Sequence, residues 1–383
     1  MHRLSTITGA ACVALAVAGA VDAQEFRRST YHDYHIVTVA DGLQNPWSIA
    51  FLPGGDMLVT ERPGRLRIIR DGMLLPDPVP GLPPVHFEGQ GGLLDVVPHP
   101  DFGANRLVYL SYSKPLDGDA STTAIIRARF ENDRLTNVEE IFEADSDGRN
   151  GHYGSRIVFD GQGHLFFSVG DRQNPPSGNL EAHAAQDRSN HAGTINRINE
   201  DGTIPDDNPF VSEAGVEPSI WSWGHRNPQG LTRDPVTGQL WANEHGPMGG
   251  DEINLVQRGA NYGWPVVGFG VNYGEGRRIH EATMREGMMN PVHVWVPSIG
   301  VSGLMLYDGD RFPAWRGSLF SGGLSGGYLE RTTIDGGVVV SVERLAQGIG
   351  RVRDVRQGPD GYIYLAIDGR GDPSPIVRLE PVY

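Results

Sequence analysis

The sequence predicts an all-β fold, a six-bladed β-propeller, from three observations. Pairs of apolar runs recur six times across Gly/Asp/Pro turns, glycine (52) and proline (27) are abundant in 383 residues, and strand-like text stands at both chain ends. In each repeat the flanks are largely β-branched, aliphatic or aromatic, and the turn residues accept positive φ, as a hairpin requires. The first covers residues 50–59 and turns at Pro53-Gly54-Gly55-Asp56, and the second covers 96–110 with Pro98-His99-Pro100-Asp101. The third, residues 157–167, turns at Asp160-Gly161-Gln162-Gly163, and the fourth, 231–241, at Asp234-Pro235-Val236-Thr237-Gly238. The fifth, 305–320, contains Asp308-Gly309-Asp310, and the sixth, 355–365, contains Gly358-Pro359-Asp360-Gly361. Repetition of this kind indicates a ring of blades before any motif is considered.

Residues 34–39 and 375–379 both read as strands, and the two chain ends are expected to share the last blade, which leaves the ring no open edge. No Ser/Gly linker divides the chain, so residues 24–383 are expected to form a single propeller domain. Residues 173–210, 263–291 and 368–373 lack the repeat and read as loops that wall a site. Glu61, Asp171, Glu244 and Asp368 fall where inner strands are expected to end, which predicts a partly acidic mouth at one end of the ring.

Residues 1–23, with one arginine, an apolar stretch from Ala10 to Val21 and a Val21-Asp22-Ala23 cleavage pattern, read as a signal peptide. That predicts a periplasmic or secreted protein. The stretch is shorter than the roughly 20 apolar residues of a membrane span. The single cysteine, Cys12, lies inside it, so the mature chain carries no disulfide or thiolate ligand. A net charge of −15, with Lys114 the only lysine, excludes nucleic acid as an expected partner and makes any local cluster of arginines informative.

No Gly-rich nucleotide cradle and no His-Glu-x-x-His occurs. Four constellations remain. Asn150 to Arg156 precede the third hairpin and Val169-Gly170-Asp171-Arg172 follow it, so His152 and Asp171 leave the same end of one hairpin and can meet. A carboxylate on one imidazole nitrogen fixes the tautomer and frees the other as a general base; the plainer alternative is a turn histidine and an unrelated capping aspartate. Gly224 to Gly230 gathers His225, Arg226, Asn227 and Gln229, donors suited to an anion or a carbonyl, or simply an irregular polar turn. Residues 244–254, followed by Asn261-Tyr262-Gly263-Trp264-Pro265, offer carbonyls and carboxylates to a hard cation such as calcium, or an ordinary acidic turn. Arg351 and Arg353 alternate onto one face, where an anion lies between them or Asp354 and nearby acids neutralise both. Gln90, flanked by glycines, is a further candidate.

These segments, with Asn45 to Phe51 and Gly89-Gln90-Gly91-Gly92-Leu93-Leu94, together resemble the soluble pyrroloquinoline quinone (PQQ)-dependent glucose and aldose sugar dehydrogenases over nearly the whole mature chain. The less elaborated chain resembles the aldose branch more. The resemblance implies a six-bladed propeller that binds PQQ and calcium at its mouth, oxidises the C1 hydroxyl of an aldose to the lactone and passes electrons to an external acceptor. It implies that His152 is the base, that Asp171 orients it, and that Arg226 stabilises the developing oxyanion. Gln90 and Asn227 would contact cofactor or substrate, and Arg351 and Arg353 would pair with cofactor carboxylates. The carbonyls of Gly246 and Pro247 would hold calcium, and Glu252 and Tyr262 match a second, structural calcium site. Two positions depart from the glucose enzymes: Ser325 or a neighbour stands where they place a cofactor-binding lysine, and Gly151 where they place an acid. A calcium-dependent lactonase and a non-catalytic binding propeller are the competing readings, since this architecture does not fix chemistry.

Overall fold

Each of the six predicted hairpins forms the first two strands of one blade in the computed structural model, which describes residues 25–148, 150–274 and 276–383. The expected signal peptide and Cys12 lie outside the described residues. Blade 1 runs Pro46–Phe51, Met57–Glu61, Arg65–Arg70 and Met73–Leu74; blade 2 runs Leu93–Pro98, Leu107–Pro115, Ser121–Glu131 and Arg134–Glu143. Blade 3 begins with Ile157–Phe159 and His164–Val169, blade 4 with Pro228–Arg233 and Leu240–Glu244, and blade 5 with Val301–Leu306 and Leu319–Gly323. All pairings within the blades are antiparallel, and the first strands of successive blades lie side by side around the axis.

The sixth blade closes the ring with both chain ends. Val352–Gln357, Ile363–Ile367 and Pro373–Pro381 are followed outward by Tyr34–Gln44 and Glu25–Arg27, so the early and late strands pair as expected. Every junction between blades has its own apolar core. Leu58 and Leu66 of blade 1 meet Val96 and Leu110 of blade 2, for example, and Ile49 and Val59 meet Tyr364 and Ala366 across the closing junction. Burying this surface makes the ring one cooperative body and holds its mouth rigid.

Three expectations are corrected. Residues 173–210 are not wholly loop, because Thr194–Asn199 is the third strand of blade 3. Glu61, Glu244, Asp171 and Asp368 stand at or just beyond the ends of second strands, one layer out from the axis. Asp354 does not neutralise Arg351 and Arg353. It faces the channel, 3.0 Å from Arg156 and 2.9 Å from Arg356, and both arginines also reach Asp95, at 3.2 and 2.9 Å. Ser48 Oγ donates to Asp95 and Ile49 N to Asp354, so this buried network ties blades 1, 2, 3 and 6 together.

Candidate active site

His152 and Asp171 meet as the hairpin predicts, at the open end of blade 3's first two strands, one before the first strand and the other after the second. The Nδ1 to Oδ1 distance is 2.5 Å. Asp171 also accepts from Trp264 Nε1 at 2.7 Å and from Gln173 N at 2.9 Å, which fixes the carboxylate on both oxygens. His152 sits at φ 49°, and its backbone N donates to Gln90 Oε1 at 2.9 Å. The close approach needs Gly170, where a Cβ would lie 2.2 Å from the His152 carbonyl oxygen. Arg172 supports the same loop through the carbonyls of Gly151, Gly148 and Ser121 and stacks 3.7 Å over Tyr153.

The electrostatics suit a neutral base. Burial lowers the His152 pKa below the ordinary histidine value; Asp171 opposes this, while Arg226 and Arg172 add to it. Burial alone would push the Asp171 carboxyl up, but His152, Arg226 and His183 together hold it below its usual range. With Nδ1 committed to an ionised carboxylate, Nε2 is the nitrogen left to take a proton. His152, Asp171, Arg226, Gln90 and Trp264 line one chamber of about 350 Å³.

A second cavity of about 420 Å³ adjoins it, with Gln90, His245 and Tyr273 lining both. Arg62, Arg351 and Arg353 open into it. Asp368 stands between two of them, 3.4 Å from Arg351 and 3.8 Å from Arg353. Burial and the neighbouring arginines bring the Arg353 pKa down to about 9 despite Asp368. Ser325 and Leu324 wall the same cavity, and Arg351 Nη1 reaches the Leu324 carbonyl at 3.3 Å.

Arg226 stacks 5.1 Å from the Trp264 ring and donates to the Gly246 carbonyl at 2.8 Å, while its buried Nε has no partner. The Pro247 carbonyl accepts from Ser298 Oγ at 3.3 Å. Gly246 lines the arginine cavity and Pro247 the base chamber, so these carbonyls flank the boundary between them. Their turn is fixed by the buried Asp251, which accepts from Gly246 N at 2.9 Å and Gly300 N at 2.7 Å. Peptide carbonyls are the right donors for calcium. Among the described residues no three His, Cys, Asp or Glu side chains converge as a metal cluster, so a cation here depends on backbone oxygens and its other ligands.

Asn227 is fully buried; its Oδ1 accepts from Gly154 N and Gln229 Nε2, and its Nδ2 lies 3.3 Å from His245 Nδ1. Glu252 pairs across the sheet with Glu244, and both line a cavity of about 20 Å³ beside Tyr262. Burial and the Glu244 charge push the Glu252 carboxyl well above its usual range, an arrangement a cation would relieve. The Tyr262 hydroxyl is not a free ligand, since it donates to the Leu255 carbonyl at 2.6 Å and accepts from Gln257 N at 2.9 Å. Sequence reasoning assigned no role to Arg62 or Tyr273, and it placed Gln229 and His245 only within wider candidate segments. The one available signal was positive charge in an acidic chain, and it needed the fold to show that Arg62 joins the other two arginines.

Residues 43–378 match the sequence profile described as Glucose / Sorbosone dehydrogenase. The chain belongs to this family. It is 42% identical over 341 residues to the aldose sugar dehydrogenase YliI of Escherichia coli, covering 87% of this chain and 90% of that protein. The soluble aldose sugar dehydrogenase of Escherichia coli, solved in the apo form, superposes with a TM-score of 0.83 at 39% identity, covering 91% of this chain and all (100%) of that one. The PQQ-bound aldose sugar dehydrogenase of Streptomyces coelicolor gives 0.71 at 28% identity, covering 91% and 98%. The family member is thus a sugar oxidoreductase of the aldose dehydrogenase type.

Proposed function

We propose that this family member oxidises the C1 hydroxyl of an aldose to the lactone, with PQQ and calcium as cofactors and an external electron acceptor, in the periplasm or after secretion. The observation that carries the reading is the His152–Asp171 pair beside a cavity lined by Arg62, Arg351 and Arg353. A small tricarboxylate suits an arginine cluster with one intervening carboxylate, since guanidinium groups pair bidentately with carboxylates. When bound there, the quinone supplies the acceptor for the C1 hydride.

His152 Nε2 takes the hydroxyl proton, and Asp171 stabilises the imidazolium that results. Arg226, held by Trp264 and the Gly246 carbonyl, lines the base chamber as the donor for negative charge developing at the acceptor. Gly246 and Pro247 carbonyls would hold calcium, which would add Lewis-acid polarisation at the same place. Gln90 ties the base loop to the cofactor cavity.

The test adds PQQ and calcium to purified apo-protein and follows dye reduction with a panel of aldoses, beside a lactone-hydrolysis control. Dye reduction that requires both cofactors supports the proposal. Lactone hydrolysis without PQQ, or neither activity, overturns it.

A further inference from the structure

Arg62 follows the second strand of blade 1, in the Arg62-Pro63-Gly64 turn, and reaches the arginine cavity from the blade next to the one that carries Arg351 and Arg353. Its backbone is locked on both sides: N donates to the Asn45 carbonyl at 3.1 Å, and the carbonyl accepts from Leu93 N at 3.0 Å. Gly92 permits this approach, because a Cβ there would come within 2.1 Å of the Arg62 carbonyl oxygen. The side chain is far less committed. Among the described residues its one hydrogen bond is Nη2 to the Gly89 carbonyl at 2.8 Å, with Phe87 5.4 Å from the guanidinium. Its Nε is buried without a partner.

This guanidinium has spare donors on a rigidly placed backbone, in a cavity where two other arginines share one aspartate, and among the described residues it makes no ion pair of its own. Asp368 is the carboxylate that acts on all three, and it raises the pKa of Arg62 and Arg353 against burial and mutual repulsion. We infer that Arg62 is a third cofactor-holding cation, pairing with a carboxylate of the bound anion and supplying the positive charge that the Ser325 wall does not. The inference rests on the PQQ reading above.

The experiment titrates PQQ into calcium-loaded apo-protein and follows cofactor absorbance, with thermal melting of the same samples. Arg62→Gln is expected to weaken binding by about 10- to 150-fold, the worth of one charge-assisted contact. Arg62→Lys, which keeps the charge, recovers most of that loss. Without PQQ, Arg62→Gln melts like the unaltered protein, because it gives up a single hydrogen bond. Arg65→Gln is the control: Arg65 opens the strand after the same turn but pairs with Glu61 at 2.6 Å and does not line the cavity. Unchanged affinity in Arg62→Gln, or equal weakening in Arg65→Gln, overturns the inference while leaving the functional reading intact. Failure of the unaltered protein to bind PQQ overturns both.

Discussion

His152 and Asp171, 19 positions apart, are held 2.5 Å from each other because one leads into the blade 3 hairpin and the other leaves it. The carboxylate is itself fixed by Trp264, which comes from the long loop of blade 4. The imidazole's orientation therefore depends on two blades, and under the proposed mechanism a change in either should disturb proton transfer without altering the arginine cavity.

His152→Ala should lower turnover by roughly 10²- to 10⁴-fold with PQQ still bound, the usual worth of a general base. Because burial lowers the His152 pKa, the neutral form persists below the ordinary histidine range. The rate limb set by this group in kcat/KM should accordingly lie on the acid side of pH 6.5. A pH profile of the reconstituted enzyme checks the limb, and retained turnover in cofactor-saturated His152→Ala would remove the assignment.

The hairpin repeats were legible because their turns carry Gly and Asp at positions needing positive φ, such as Gly161 and Gly361. Some third and fourth strands were not, because their composition hides them. Arg134–Glu143 is charged and mostly exposed, and Thr194–Asn199 carries two asparagines and an arginine, so neither reads as an apolar run. The base pair was legible because both members belong to one hairpin. Arg62 was not, since its partners are 289 and 291 positions away (351 − 62 and 353 − 62) and only closure of the ring brings them together.

A second buried histidine makes stability depend on pH. His191 Nδ1 accepts from Asp145 N at 2.9 Å, and burial brings its pKa down to about 4. The unfolded value is near 6.5, so the unfolded chain binds the extra proton first. Stability is full above pH 6.5 and is lost as pH falls from there towards 4. Between pH 7 and 5 this site should cost roughly 2 kcal/mol, and His191→Gln should lose less over that interval in urea unfolding. Equal losses in both proteins would show that His191 does not carry the effect.

The channel network predicts a large stability change far from the chemistry. Asp354→Ala leaves Arg156, which is 1% exposed, facing Asp95 with one counter-charge fewer. Breaking a buried pair by removing one partner costs about 3–5 kcal/mol. Urea unfolding measures it, and a loss below about 1 kcal/mol would mean that water in the channel screens these charges.

Calcium removal should lower both the melting temperature and PQQ retention, because an ion bound only by the folded protein stabilises it by mass action, by about 2.7 kcal/mol at 100 times its Kd. Chelator-treated protein, checked by elemental analysis, is compared with the same sample after calcium is restored. A calcium-free protein with full activity would exclude the ion from the site. Glu252→Gln is expected to remove part of the calcium-dependent rise in melting temperature, since Glu244 and Glu252 share the small cavity beside Tyr262.

The arginine pair is expected to decide cofactor affinity more than chemistry. Arg351 and Arg353 share Asp368, and Arg353 also contacts Gln229 Oε1 at 3.3 Å, whereas His152 and Asp171 line the adjoining chamber. Replacing either arginine by alanine should weaken PQQ binding by about 10- to 150-fold, with a smaller effect on turnover at saturating cofactor. Ser325 lines the same cavity as both arginines, so Ser325→Lys adds a cation where the wall now carries a hydroxyl. That variant should bind PQQ more tightly, provided the new ammonium is not captured by Asp368, and Ser325→Lys combined with Arg351→Ala distinguishes the two outcomes. Restored affinity in the double variant shows that the ammonium reaches the cofactor. Affinity as low as that of Arg351→Ala alone shows that the lysine has only replaced the arginine at Asp368, and unchanged affinity in both alanine variants removes this cluster from the cofactor site.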